Sequence, residues 1–247
     1  MRISQDSLRL LTAELKLMVR DPLVLTFVFV FPVVTMLIIG GSFGTKPDPA
    51  FAGTNPSQWY VASYLTVVIA ATGLIMLPVH IASYRERGVL RRFAAAGFSR
   101  WSFALAQLVV GLVVIVAASA IELGSAAPVY GIPALHAFWR VALAIALGAI
   151  AFVSIGVLLG TLLPSARAAQ AVGLILFFPS FLLGAGGPPP QAMGAALRGV
   201  AEFLPLTMVT NSIRDPWLGL GSGSGSLLAV AGLAAGAALL AARRSAL

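Results

Sequence analysis

Apolar residues in this chain fall into runs of about twenty, separated by short polar stretches dense in Pro, Gly and Arg. A helix crossing a hydrocarbon core of about 30 Å needs roughly 20 residues, so each run is long enough for one crossing. The pattern predicts six membrane spans, at 23–41, 59–83, 102–122, 136–163, 171–185 with its flanks, and 221–242. Ahead of them, residues 3–20 place Leu8, Leu11, Leu15 and Met18 at helical spacing, with Arg9, Lys16 and Arg20 around the other side. That predicts an N-terminal amphipathic helix lying in the membrane interface. Asp21-Pro22 ends it, because proline lacks an amide donor and disfavours helical geometry in the residue before it.

The connections follow from the breakers. Residues 42–57 carry Lys46, three prolines, Gly44 and Gly53 and read as a polar loop, after which Trp59 and Tyr60 open the second span as interfacial aromatics. Residues 123–135, with Gly124, Pro128, Gly131 and Pro133, read as a turn, and 164–170 as a short loop. Residues 186–220 fit no uninterrupted span, because Pro188 to Pro190, Pro205, Pro216, Arg198, Glu202, Arg214 and Asp215 interrupt them. They are expected to form an external re-entrant hairpin of short helices, since irregular backbone survives at membrane depth only when buried in protein or facing water. With this layout, Arg2, Arg9, Lys16, Arg20, Arg85, Arg87, Arg91, Arg92, Arg100, Arg167, Arg243 and Arg244 fall on one side, and Lys46, Arg140, Arg198 and Arg214 on the other. The excess of basic residues inside predicts that both termini are cytoplasmic.

Composition agrees. The chain is 59% hydrophobic and 10% charged, with mean hydropathy +0.97, which leaves little chain for a soluble domain. The formal charge of +8 sits at the ends of apolar runs, not on an aromatic-interleaved soluble face, so no nucleic-acid partner is expected. Without cysteine there is no disulfide or thiolate metal site. The first apolar run starts at Leu23 and exceeds a signal-peptide core in length, so no cleavable signal is expected.

The stretch 84–101, YRERGVLRRFAAAGFSRW, holds five of the sixteen basic residues. A topogenic loop needs no apolar face, yet Val89, Leu90 and Phe93 stand beside Arg85 and Arg92, seven apart, which predicts one docking helix over 84–93. Glu122, at the expected outer end of the third span, is the one carboxylate near a crossing. It reads either as a hydrated interfacial residue or as part of a substrate or proton pathway. His80 and His136 lie near opposite membrane faces and form no common metal site. Gly232 and Gly236, four apart on the last span, suit close helix packing within the chain or between copies.

Beyond the fourth span, the chain resembles the permease subunits of type-2 ABC exporters, most of all those that export drugs and antibiotics. The resemblance rests on Pro179, then Phe181 to Leu183 with Gly184, Pro188 to Pro190, Pro205-Leu206-Thr207, and Arg214 before the last helix. The loop after the second helix resembles the family's Glu-x-Gly-x-Leu stretch at Glu86, Gly88, Leu90 and Phe93, and departs from it at Ala96-Gly97, where the family often has Thr-Pro. This resemblance implies an all-α integral membrane protein of the bacterial cytoplasmic membrane, with a cytoplasmic coupling helix between helices 2 and 3. It implies that Arg85, Glu86, Arg87, Gly88, Leu90 and Phe93 engage an ABC ATPase subunit, that a second permease copy pairs through the first and fifth helices, and that the cargo is an amphipathic or lipidic small molecule. MgATP belongs to the partner: neither Lys16 nor Lys46 sits in a Gly-Lys-Ser/Thr phosphate loop, so the chain itself is expected to be non-catalytic. The alternatives are an ion-coupled secondary transporter and a membrane scaffold without an ATPase.

Overall fold

The structure, a computed structural model, describes residues 21–95 and 100–244; the predicted interfacial helix at 3–20 lies outside the described residues. The described chain folds as α1 (Pro22–Ser42), α2 (Pro56–Glu86), α3 (Val89–Ala95), α4 (Arg100–Tyr130), α5 (Phe138–Leu162), α6 (Ala166–Ala185), α7 (Ala195–Glu202), α8 (Pro205–Leu218) and α9 (Ser224–Arg244). Among the described residues there is no strand, and α1, α2, α4, α5, α6 and α9 are long and apolar enough to cross a membrane. The all-α class and the six spans match the apolar pattern.

Several boundaries move, each for a local reason. Asp21-Pro22 starts α1: the Asp21 carboxylate accepts from the Leu23 N–H at 2.9 Å, and proline at the first position gives up a donor that would have no helical partner. Helix α6 begins at Ala166 and not at 171, because Ser165 caps it by accepting from the Ala168 N–H at 3.1 Å. The turn expected at 123–135 is helical through Tyr130. Pro128 removes one late backbone bond, while Ala126 is buried and the Tyr130 hydroxyl donates to the Leu37 carbonyl of α1. Residues 186–220 form α7 and α8, and α8 is not a surface helix: its Leu206, Val209, Ile213 and Trp217 are buried against α2, α5 and α9.

Helix α2 is the centre of the molecule. Its apolar window is 89% buried, against 22–33% for α1, α4, α6 and α9. Neighbours reach its backbone through glycines. Between Thr72 and Met76 the helix widens to π geometry, so that the Leu77 N–H bonds the Thr72 carbonyl, while Pro78 has no N–H to give. The Gly73 and Leu74 carbonyls thereby lose their usual helical donors. Gly156 of α5 and Gly173 of α6 lie against these same carbonyls: a Cβ on either would come within 2.5 Å of Gly73 O or 2.1 Å of Leu74 O. Gly160 repeats the approach one turn on, against Ile81. By contrast, Gly232 and Gly236 are exposed with nothing within 4 Å, so the predicted close packing on the last span is not made within the chain.

Candidate functional site

The sequence-predicted residues separate into two ends of the bundle and one buried group. At the first end, α2 stops at Glu86. Its Ser83 carbonyl accepts from the Arg87 N–H and its Arg85 carbonyl from the Gly88 N–H, both at 3.1 Å, and Gly88 turns with φ +67°. Residues 84–93 are therefore not one helix: 84–86 belong to α2, and α3 starts at Val89. Arg85 and Arg92 share no helical face, because the left-handed turn at Gly88 intervenes. Arg85 is used inside the chain. Its guanidinium donates to the Thr161 carbonyl at 2.6 Å and to the Leu163 carbonyl, satisfying the C-terminal end of α5. Glu86, Arg87 and Arg92 are exposed, with no side-chain partner for Glu86 among the described residues, while Val89 and Leu90 are half-buried. Phe93 lies in α3, but its side chain is outside the described residues.

The opposite end gathers the motif residues of α6 and α8. Pro179 interrupts the bonding of α6, which continues as a π turn over Phe181–Ala185, closed by the Gly186 N–H on the Phe181 carbonyl at 2.8 Å. This turn aims Phe181 into the core. Its ring lies 5.2 Å from Phe31, 5.9 Å from Phe177 and 5.9 Å from Tyr64, which joins α1, α6 and α2 through aromatic contacts. Gly184 lets α8 close in: a Cβ there would lie 3.0 Å from Thr207 Oγ1. Pro205 opens α8, and the Thr210 and Thr66 hydroxyls meet at 2.8 Å to fasten it to α2.

Arg214 is 5% exposed. Its Nε and Nη2 donate to Asp215 Oδ1 at 3.1 and 2.9 Å, Nη2 donates to Asn211 Oδ1 at 2.7 Å, and the guanidinium lies 3.8 Å from the Trp59 ring centroid. Burial pulls its proton affinity below the ordinary arginine range, and the Asp215 carboxylate acts in the opposite direction. The last turn of α8 is tied down as well: the Trp217 indole donates to the Pro133 carbonyl at 3.1 Å, and His136 Nδ1 donates to the Trp217 carbonyl at 2.9 Å. Trp59, Thr207, Asn211, Arg214 and Asp215 line a partly open cleft of about 270 Å³, with Arg198 and Glu202 at its α7 wall. By its place at the start of an apolar run, Trp59 is expected only as an interfacial aromatic. Its pairing with Arg214, 155 positions along the chain, has no local signal.

Glu122 lies in neither end. Because α4 runs on to Tyr130, Glu122 is two turns inside the helix and 0% exposed, with neither carboxylate oxygen hydrogen-bonded. The interfacial, hydrated reading is thus overturned by the length of α4.

Six apolar spans, the buried α2 among them, with a charged turn at one end and a polar cleft at the other, make a multi-pass membrane protein. The family model described as ABC-2 type transporter matches residues 7–216, from ahead of α1 into the last turn of α8. The chain belongs to the ABC-2 type transporter family and is a transmembrane permease component. A comparison with curated proteins gives no match.

Proposed function

We propose that the chain is the membrane subunit of an ATP-driven exporter that moves amphipathic or lipidic small molecules, drug- or antibiotic-like, out across the cytoplasmic membrane of a bacterium. A separate ABC ATPase hydrolyses MgATP and docks on the Arg87–Arg92 turn, and two permease copies form the path. The observation that carries this reading is the mechanical placement of that turn. It continues directly into α2, the most buried helix, and Arg85 beside it holds the end of α5, so a push on the turn reaches the core without an intervening loop. Glu86 and Arg87 are exposed there to receive a partner.

Basic residues support the orientation, with Arg85, Arg87, Arg91, Arg92, Arg100, Arg167, Arg243 and Arg244 at the end of the turn and four basic residues at the end of the cleft. For the second copy, α1 and α6 lie side by side through Phe31 and Phe177, and both turn large apolar residues outward: Val30, Val34 and Ile38 on α1, and Ile175 and Leu182 on α6. This shared face supports pairing through the first and fifth spans. The test is co-purification with a candidate ABC ATPase, followed by ATP hydrolysis in lipid nanodiscs with candidate amphiphiles. Glu86→Lys is expected to abolish stimulated hydrolysis while membrane insertion is retained; unchanged stimulation would sink the docking assignment.

A further inference from the structure

One face of α8 turns a row of polar side chains into the cleft. Thr207, Asn211, Arg214 and Asp215 stand at i, i+4, i+7 and i+8, so they share a stripe of the helix, and all four line the cleft. Their bonding is incomplete. The buried Arg214 spends Nε and Nη2 on Asp215 and Asn211, and its Nη1 meets no acceptor among the described residues. Asp215 accepts only on Oδ1, which leaves Oδ2 open, and the buried Thr207 Oγ1 has no partner. At the head of the stripe α8 begins on Leu204 without a side-chain cap, so no side chain answers the N–H groups of its first turn. Helix α7 adds Arg198 and Glu202 to the same cleft. Arg198 gives Nη2 to the Met193 carbonyl at 3.1 Å, and Glu202 makes no ion pair among the described residues.

The signs of these groups specify a ligand. Two guanidiniums and two carboxylates line one cleft, so a lone anion would meet Glu202 and Asp215, and a lone cation would meet Arg198 and Arg214. A zwitterion satisfies both pairs. Phosphate oxygens suit Arg214 Nη1, Arg198 and the Thr207 hydroxyl, while a primary ammonium suits Glu202 and the open oxygen of Asp215. At about 270 Å³ the cleft falls just short of the roughly 300–1,000 Å³ of ordinary small-molecule pockets, so it takes a headgroup and not a whole amphiphile. Its surroundings supply the rest of the molecule. The cleft lies where two spans end, between the first turn of α2 at Trp59 and the last turn of α6 at Leu183 and Gly184, which is the level of the membrane boundary. Helix α7 has two faces there: Arg198 and Glu202 border the cleft, and Val200 and Phe203, 55% and 81% exposed, stand on the other side. Such an apolar face suits acyl chains. We infer that the cleft between α7 and α8 holds the headgroup of an aminophospholipid from the adjoining leaflet, with Arg198 and Arg214 on its phosphate and Glu202 and Asp215 on its ammonium. This goes beyond the export reading and needs no ATPase.

The probes are dioleoyl phospholipids with identical chains: phosphatidylethanolamine, which carries both charges; phosphatidylglycerol, which lacks the ammonium; and phosphatidylcholine, whose quaternary ammonium has no N–H to give. Each is titrated onto the purified full-length chain in detergent, and bound lipid is read by native mass spectrometry. Wild type is expected to hold the ethanolamine lipid about fivefold tighter than either of the others. Glu202→Gln should bring it down to the level of the glycerol lipid, and Arg198→Gln should weaken all the lipids about threefold. Both positions are exposed, and an unchanged unfolding temperature checks that the fold is kept. Soluble O-phosphoethanolamine separates the two sources of this chemistry, and in large molar excess it should leave the lipid bound. Wild type without a headgroup preference, either folded variant keeping the wild-type pattern, or displacement of the lipid by the soluble headgroup would each overturn the assignment. The wild-type comparison decides even where a variant does not fold. The export reading fails separately, through an ATPase that neither co-purifies nor responds to amphiphiles.

Discussion

The glycine crossing between α2 and α5 gives a quantitative prediction. In Gly156→Ala the new methyl would lie 2.5 Å from Gly73 O and 3.0 Å from the Leu77 Cβ, with rigid backbone on one side and a buried side chain stem on the other. Neither can rotate away, so the two helices must separate locally by about 1 Å to restore normal contact distances of roughly 3.5–4.0 Å. Overpacking of this kind costs about 1–3 kcal/mol. At about 2–4 °C per kcal/mol for a chain of this size, that corresponds to a fall of roughly 2–12 °C in unfolding temperature. The measurement is thermal unfolding in detergent, followed by size-exclusion chromatography with fluorescence detection. Gly232→Ala is the control: it places the same methyl on an exposed face with nothing within 4 Å, and alanine is the better helix former, so no loss is expected. Equal melting of Gly156→Ala and Gly232→Ala would refute the placement of the seam.

Substitutions at Arg214, Arg85 and Gly88, each with its control, test the two ends. Arg214→Lys keeps the charge but loses the planar fork that bonds Asp215 and Asn211 and lies over Trp59; it should cost about 2 kcal/mol, read as a lower unfolding temperature, and Trp59→Ala should make the two Arg214 backgrounds converge. Arg85→Ala uncaps α5, with an expected cost of about 1 kcal/mol and faster hydrogen exchange at the Thr161 to Leu163 end, while Glu86→Ala at the neighbouring exposed position leaves both unchanged. Gly88→Ala meets no atom within 4 Å but must adopt φ near +67°, so it should destabilise by roughly 1–2 kcal/mol through the backbone alone, and Gly88→Asn, which tolerates that region, by less.

The parts of the molecule that were legible in the sequence are those set by bilayer thickness and local chemistry. The six apolar runs and the prolines that interrupt 186–220 are one-dimensional signals, and Phe181, Gly184, Pro205 and Arg214 lie where α6 meets α8 and α2, while Pro179 is exposed on α6. What failed was any inference that needed to know which face of a helix meets protein. Gly232 and Gly236 carry the same four-residue spacing as Gly156 and Gly160, and in an apolar helix nothing in the spacing says which pair faces α2. In water the exposed face would be polar and would give the answer; in lipid both faces are apolar, so the periodicity carries no sidedness.

The single helix expected over 84–93 is divided for a related reason. The apolar and basic residues of 84–93 do show helical spacing, but one glycine at a left-handed φ divides the segment, and Arg85 serves α5 instead of the surface. Glu122 is the opposite case: the residue stands out in the sequence, and its depth does not. Gly124 and Pro128 mark the end of a helix by local rules, and the burial of Ala126 with the Tyr130 bond to Leu37 carries the helix to Tyr130, two turns past Glu122. A carboxylate expected in interfacial water therefore lies in the apolar bundle, where it needs a partner that the described chain does not supply.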